Sequence, residues 1–240
     1  MNPADLLIFS TVQRFQESAA VLIAAAIRDA VKKNGTCRLM LTGGTTPAPI
    51  YRALTDPAVV GAVPFGSVHV LFGDERWVPL DHPESNFAMA KESLLDRVPA
   101  FAGVYPMYSD KRDREDAAAQ YGQLLKTPVD VLLLGMGPDA HIASIFPGSP
   151  ALLHKEATAL AVNGPKAPPE RITITPAVIS HARRTFMLVT GEDKAAALHV
   201  VLTQPRHTET RPAQLVRDAT WLVDAGAASN LGLPDTGVTQ

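Results

Sequence analysis

The sequence is poor in cysteine, because Cys37 is the only one in 240 residues. A single thiol excludes an internal disulfide and a thiolate metal cluster, and it fits a reduced, cytoplasmic setting. Aromatic residues are also scarce, at 6%, whereas apolar residues make up 46% of the chain. Many of these are Ala, Val and Leu, a composition that suits buried parallel strands covered by helices.

The sequence also lacks an excess of either charge, since its formal net charge at pH 7 is −2. This balance gives no reason to expect nucleic acid or an anionic membrane as a partner, so any bound anion must be held by a local site. The longest apolar run, residues 19–27, is too short to cross a bilayer. Residues 1–5 contain no basic segment, so no secretory signal is expected.

Short apolar runs alternate with helical patterns along most of the chain. The helical patterns are clearest at 11–33, 85–97, 113–126 and 192–202. The apolar runs predict strands at 6–9, 37–41, 68–72, 129–134, 158–162, 171–175, 185–189 and 220–223. This alternation predicts an α/β fold with a parallel sheet and helices on both faces. The proline-rich segment 164–169 is interpreted as a surface loop, so one domain over 1–240 is expected.

The turn after the strand at 37–41 contains Gly43, Gly44, Thr45 and Thr46, and Pro47 suits the first position of a helix. The glycines allow a tight turn with exposed amide groups, which can hold a phosphate at the helix N-terminus. No Lys-Ser/Thr pair follows at the spacing of a P-loop. Taken alone, this segment fits a plain strand-to-helix turn better than a phosphate site.

Charged residues follow the strand at 68–72, where Asp74, Glu75 and Arg76 are consecutive. Charges at the end of an apolar strand indicate a polar cleft, because they are costly to bury. A solvated salt bridge at a sheet edge is the alternative. Further along the chain, Ser85 is interpreted as a helix N-cap and Asn86 as structural.

The segment after the strand at 129–134 superficially resembles a dinucleotide-binding turn. However, Pro138 removes a backbone donor and Asp139 places negative charge where a pyrophosphate would lie. What remains is Asp139-x-His141. A histidine there can accept a proton from water while the carboxylate orients it, although a locally satisfied histidine is the alternative.

Two further cations lie near strand ends. Arg171 begins the strand at 171–175, and Lys194 opens the helix at 192–202. Either could form part of an anion pocket, and either could be a solvated surface charge. The chain has no Gly-x-Ser-x-Gly motif, and Cys37 lies within a predicted strand, so no serine or thiol nucleophile is expected.

Taken together, the order and spacing of these motifs resemble the 6-phosphogluconolactonase family over roughly residues 5–225. The matching motifs are 42–47, 73–76 with 85–86, 134–141 with 146–148, 171–173, and Gly191 with Lys194. The resemblance implies a modified doubly wound, Rossmann-like α/β fold, similar to glucosamine-6-phosphate deaminase. It also implies hydrolysis of 6-phosphogluconolactone in the pentose phosphate pathway, without a metal or other cofactor. The expected partner is a small sugar-phosphate lactone, and the expected state is a monomer or weak homodimer.

The resemblance leads to a hypothesis about the role of each residue. His141 is the general base, oriented by Asp139, and Arg76 binds substrate oxygens or the developing oxyanion, with Asp74 nearby. The residues expected to hold the 6-phosphate are Gly43, Gly44, Thr45, Arg171 and Lys194.

Glucosamine-6-phosphate deaminase is the main alternative, because it shares these motifs. That family has Phe-Asn-Glu-Pro-Gly after its histidine, whereas this chain has Phe146 in place of the glutamate. It also has Arg76 where the deaminase has tyrosine. Both differences favour the lactonase, since a phenyl ring cannot transfer a proton. A non-catalytic sugar-phosphate-binding protein is a third possibility, but the chain has no basic recognition helix and retains His141.

One residue departs from the family pattern. Ala140 stands between Asp139 and His141, where the lactonases usually have glycine. If the position requires a positive φ, alanine costs about 1 kcal/mol or more there.

Overall fold

The computed structural model describes residues 5–232. Its strands in this range are β1 (Asp5–Phe9), β2 (Cys37–Leu41), β3 (Val68–Phe72), β4 (Asp74–Arg76), β5 (Gly103–Val104), β6 (Val131–Gly135), β7 (Ala159–Asn163), β8 (Glu170–Ile174), β9 (Arg184–Val189) and β10 (Thr220–Asp224). Its α-helices are α1 (Val12–Asn34), α2 (Pro47–Leu54), α3 (Pro57–Val60), α4 (Asn86–Ser93), α5 (Arg114–Leu124), α6 (Pro176–His181), α7 (Ala195–Thr203) and α8 (Ala225–Ala228). Residues 1–4 and 233–240 lie outside the described residues. They include both ends of the predicted domain and most of the segment in which no secretory signal is expected.

Seven strands form one parallel sheet in the order β1-β10-β9-β6-β2-β3-β5. From β2 the chain proceeds towards one edge through β3, and from β6 it proceeds towards the other through β9. The order therefore reverses between β2 and β6, as in a doubly wound fold. Leu39, Met40 and Leu41 are all fully buried in β2. Because consecutive side chains of a strand point to opposite faces, both faces of the sheet are covered. The predicted fold class is confirmed.

A second, smaller sheet is antiparallel and has the order β4-β8-β7. It contains the predicted strands 158–162 and 171–175, which therefore lie outside the main parallel sheet. The short strands β4 and β5 were not predicted. Residues 164–169 connect β7 to β8 and are mostly exposed, which confirms their interpretation as a surface loop.

Each of the four predicted helices is present, with differences at the ends. Thr11 caps α1 by accepting a hydrogen bond from the Arg14 amide (3.1 Å). Val12, the first residue of α1, is 50% exposed. The helix predicted at 85–97 ends at Ser93, and a 3₁₀ turn covers Leu95–Arg97. None of the helices in the described range is long and apolar enough to cross a membrane.

A buried carboxylate joins the small sheet to α4. Glu75 is only 1% exposed. It accepts hydrogen bonds from the amides of Arg76 (2.8 Å), Asn86 (2.7 Å) and Phe87 (2.8 Å) and from the Ser85 hydroxyl (3.1 Å). A negative charge at a helix N-terminus is favourable because the first amides lack partners within the helix. Burial nevertheless raises the pKa of Glu75, although its backbone hydrogen bonds lower it.

The loop that follows β6 is a tight turn. The Ala140 amide donates to the Gly137 carbonyl (3.0 Å), and the Gly137 amide donates to the His141 carbonyl (3.0 Å). From outside, the Ala213 amide donates to the Ala140 carbonyl (2.9 Å). Ala140 adopts φ 63°, so this position does require a positive φ. Such a conformation costs a non-glycine residue about 1–2 kcal/mol.

We expect Ala140→Gly to raise the free energy of unfolding by up to about 1 kcal/mol, because relief of the strain outweighs the added freedom of the unfolded chain. Denaturant unfolding of the variant measures this change. Ala25→Gly, in the middle of α1, is the matched control and should lower stability by about 1 kcal/mol. Equal destabilisation by both substitutions would show that Ala140 is not strained.

We expect Glu75→Gln to lower the free energy of unfolding by about 1–3 kcal/mol, because the new amide group faces a backbone N–H and leaves donors unsatisfied. A raised pKa in the folded state means that the ionisation of Glu75 opposes folding. Its contribution to stability therefore falls as the pH rises above the ordinary pKa of 4.5.

The difference in stability between the wild type and Glu75→Gln should consequently depend on pH above about 4.5 and level off at higher pH. Urea unfolding across that range measures it. A difference that is constant with pH would contradict the raised pKa.

Candidate active site

A cleft of about 280 Å³ lies at the carboxyl ends of β2, β3, β6 and β9, which are neighbours in the sheet. Its volume is slightly below the range of about 300–1,000 Å³ that is usual for small-molecule sites. The cleft spans the point at which the strand order reverses, where ligands bind in doubly wound folds. Eight of the nine predicted site residues line it: Gly43, Gly44, Thr45, Asp74, Arg76, His141, Arg171 and Lys194. The ninth, Asp139, lies behind His141 and lines a neighbouring groove instead.

His141 and Asp139 form a hydrogen-bonded pair, with 2.5 Å between Nδ1 of the imidazole and Oδ1 of the carboxylate. The imidazole packs against the backbone of Gly137, where a Cβ would lie 2.1 Å from the ring. On another side, the Phe146 ring centroid is 4.6 Å from that of the imidazole. These contacts fix the ring and engage Nδ1, which leaves Nε2 as the nitrogen for proton transfer.

Asp139 is ionised throughout the neutral pH range. Burial raises its pKa, but the hydrogen bond and the charge of His141 outweigh that effect, and the pKa is lowered to about 2. The carboxylate can therefore act as an acceptor that orients the imidazole and stabilises its protonated form.

Arg76 and Arg171 are directly opposite each other in the antiparallel register of β4 and β8. Like charges in such a pair are unfavourable unless something compensates them. Arg76 donates to the carbonyl (2.8 Å) and carboxylate (3.3 Å) of Glu84. Arg171 is buried, and its pKa is lowered by burial and by the charge of Arg76. Two guanidiniums facing one cleft are suited to binding an anion.

Asp74 is buried beside these arginines, but its hydrogen bonds go elsewhere. Its carboxylate accepts from the Ser144 hydroxyl (2.6 Å) and from the Asn86 side-chain amide (3.2 Å). The Ser144 hydroxyl also lies 3.5 Å from Nη1 of Arg171. Asp74, Ser144 and Arg171 therefore form one buried network, in which the carboxylate offsets part of the positive charge.

The interpretation of Asn86 as purely structural was incomplete, because its side chain lines the cleft. A Cβ at Gly43 would lie 1.9 Å from the Asn86 amide oxygen. The first glycine of the turn after β2 is therefore needed for the close approach of α4. Ser85 does cap α4, since its hydroxyl accepts from the Ala88 amide (3.1 Å).

The turn after β2 places the N-terminus of α2 in the cleft. Thr46, the N-cap residue, makes no side-chain capping bond, and its hydroxyl lies 2.8 Å from that of Thr190. Pro47 and Pro49 have no backbone N–H, so among the first three residues of α2 only Ala48 offers an amide donor, and it has no capping side chain. Lys194 lines the cleft after β9, and its Nζ is 2.7 Å from the Asp193 carboxylate.

The structure adds Ser144, Lys166 and Thr190 to the polar residues at the site. The sequence carried no signal for Ser144, because its role depends on contacts with β4 and β8. Lys166 lies in the loop between β7 and β8, and only the pairing of these strands brings that loop to the cleft. Among residues 5–232, no group of three His, Cys, Asp or Glu side chains is arranged to hold a metal ion.

Comparison with known proteins agrees with this architecture. The model of the family described as glucosamine-6-phosphate isomerases/6-phosphogluconolactonase matches residues 10–223. A 6-phosphogluconolactonase of Streptomyces coelicolor is 36% identical over 249 residues, covering 95% of this chain and 94% of the relative.

Two solved structures support the same assignment at the level of the fold. A 6-phosphogluconolactonase from Shewanella baltica superposes with a TM-score of 0.82 at 26% identity, covering 92% of this chain and 97% of the other. A monomeric glucosamine-6-phosphate deaminase superposes with a TM-score of 0.80 at 22% identity, covering 94% and 99%, and so shares the fold. By sequence and by structure, the chain belongs to the glucosamine-6-phosphate isomerase/6-phosphogluconolactonase family.

Proposed function

We propose that this protein hydrolyses 6-phospho-D-glucono-1,5-lactone to 6-phospho-D-gluconate, a step of the oxidative pentose phosphate pathway. The observation that carries the proposal is the His141–Asp139 pair at the edge of a cleft that also holds two guanidiniums. Relatives named 6-phosphogluconolactonases cover nearly the whole chain, which supports the same activity.

In the proposed first step, Nε2 of His141 takes a proton from a water molecule. The water oxygen forms a bond to the lactone carbonyl carbon, and the carbonyl oxygen becomes an oxyanion. Arg76 is the candidate for stabilising that oxyanion, because its guanidinium lines the cleft. In the second step the ester bond to the ring oxygen breaks, and that oxygen receives the proton from His141. The resulting carboxylic acid then releases a proton to solvent.

The 6-phosphate is assigned to a further set of residues that line the same cleft. Arg171, Lys194 and the turn of Gly43, Gly44 and Thr45 supply positive charge and amide donors there. Phosphate binding remote from the carbonyl can hold the reacting carbon near the base, so that its binding energy contributes to the rate.

Phe146 favours the lactonase over the deaminase alternative. Its ring lies beside His141, at the place where the deaminase motif has a glutamate. In the described part of the chain, Asp74 is the only carboxylate residue lining the cleft, and its oxygens accept hydrogen bonds from Ser144 and Asn86. Lactone hydrolysis needs one base, whereas aldose–ketose chemistry needs a further group to move protons on the sugar. The oriented His141 also favours an enzyme over a non-catalytic binding protein.

We further infer that the reaction occurs in the cytoplasm without a metal, in a monomer or weak homodimer. His141 can supply the base and Arg76 the charge stabilisation, so the proposed chemistry requires no metal. The near-neutral net charge of −2 provides no field for nucleic acid or membrane.

The activity is tested by the hydrolysis of freshly made 6-phosphogluconolactone, followed by proton release above the uncatalysed rate. We expect rapid hydrolysis that is unchanged by EDTA, and no ammonia from glucosamine-6-phosphate. His141→Asn should lower kcat by about 10²–10⁴-fold with little change in KM, because it removes the base. His181→Asn, at an exposed site on α6, is the matched control and should retain full activity.

Lactone decay at the background rate would rule out the proposed function. Ammonia release would instead establish deaminase chemistry despite Phe146. A kcat for His141→Asn close to that of the wild type would remove His141 from the role of base.

We expect Asp139→Asn to lower kcat by at least about tenfold at pH 7, because the imidazole loses the charge that stabilises its protonated form. The pKa of Asp139 is about 2, so its titration should not contribute to any change of rate between pH 5 and 8. Rates measured over that range test both points. A variant within twofold of the wild type would show that Asp139 does not assist His141.

A further inference from the structure

We propose that Lys166 binds the phosphate of the substrate and that the loop carrying it, residues 164–169, helps the cleft to select phosphorylated over unphosphorylated lactones. This inference rests on the proposed function and assigns one more residue to the same site. From the sequence and the family resemblance, Arg171, Lys194 and the turn after β2 are predicted to hold the phosphate, and no role was predicted for Lys166.

The loop is held in place by its own composition and by one backbone hydrogen bond. Three of its six residues are prolines, at 165, 168 and 169, which restrict its backbone. The Gly164 amide donates to the Pro169 carbonyl (2.7 Å) and closes the base of the loop. The backbone at Lys166 therefore has limited conformational freedom. Lys166 is one of the residues that line the cleft.

Arg171 ties this loop to the phosphate side of the cleft. Its Nε donates to the Pro168 carbonyl (3.1 Å), and its Nη2 donates to the Lys166 carbonyl (3.4 Å). A Cβ at Gly164 would lie 2.8 Å from Nε of Arg171, so the guanidinium packs closely against the loop. The same side chain that is assigned to the phosphate thus places Lys166 next to it.

Lys166 differs from the other cationic side chains of the cleft in having no hydrogen-bond or ion-pair partner for its charged group among residues 5–232. Arg76 is paired with Glu84 (3.3 Å), and Lys194 with Asp193 (2.7 Å). Arg171 uses its nitrogens on two loop carbonyls and Ser144. By contrast, the Lys166 ammonium makes no hydrogen bond or ion pair with any other residue of the described range 5–232.

An unpaired ammonium at the cleft is suited to a phosphate. A phosphate monoester carries a charge of about −1.5 to −2 at pH 7 and offers three acceptor oxygens, more than one guanidinium satisfies. Lys166 can bind the phosphate without first breaking an ion pair, whereas Lys194 is already paired with Asp193. Its ammonium is a compact charge on a flexible stem, so it can reach a phosphate while the loop backbone stays fixed.

The test compares wild type, Lys166→Ala and Lys166→Arg by calorimetric titration with 6-phosphogluconate and with gluconate at one ionic strength. Lys166→Ala should weaken 6-phosphogluconate binding about tenfold and leave gluconate binding unchanged, whereas Lys166→Arg should retain most of the affinity. In kinetics, Lys166→Ala should raise KM for the phosphorylated lactone about tenfold, with kcat within about twofold. Lys155→Ala, an exposed lysine outside the cleft, is the matched control and should behave as the wild type.

Unchanged affinity for 6-phosphogluconate in Lys166→Ala would show that Lys166 is a solvated surface charge. Equal losses for 6-phosphogluconate and gluconate, or a fall mainly in kcat, would place it at the reacting carbonyl, and either result would overturn the proposal. Failure of the wild type to hydrolyse the lactone would overturn the proposed function instead. The titrations would then still decide whether Lys166 recognises the phosphate.

Discussion

The site depends on two guanidiniums that the pairing of β4 and β8 holds opposite each other. Such an arrangement is unfavourable by itself, so the surrounding residues have to compensate it. Glu84 pairs with Arg76, and Asp74 reaches Arg171 through the Ser144 hydroxyl. Compensation is incomplete within the cleft, because Lys166 adds a positive charge that has no ion-pair partner among residues 5–232. An anionic substrate supplies the remaining negative charge, which explains how a nearly neutral chain can bind an anion locally.

The part of the cleft around His141 is organised by backbone geometry and by one carboxylate. The tight turn after β6 brings Asp139 behind His141 and presses the imidazole against Gly137. Ala140 adopts a positive φ within this turn, and a hydrogen bond from Ala213 holds its carbonyl. The strain is tolerated because the surrounding structure fixes the turn, as is common where a catalytic side chain must be positioned.

Much of this arrangement could be predicted from the sequence. The strands of the main sheet are buried on both faces, so they appear as continuous apolar runs, and polar residues after those runs mark the site. His141, Arg76 and Arg171 were found in this way or through the family resemblance. By contrast, β4 is too short and too charged to give a strand pattern. The roles of Ser144 and Lys166 arise from contacts between distant segments, which no local spacing encodes. Asn86 was assigned only a structural role, because its approach to Gly43 is a tertiary contact.

The division of the strands between two sheets has a consequence for how the protein holds its ligand. Arg76 and Arg171 lie side by side only while β4 is paired with β8, so the anion site exists only when the small sheet is intact. Because residues that follow strands of the large sheet line the same cleft, the site spans both sheets. Any anion that binds both arginines therefore favours the paired small sheet, because a ligand that binds only the folded form shifts the equilibrium away from local opening.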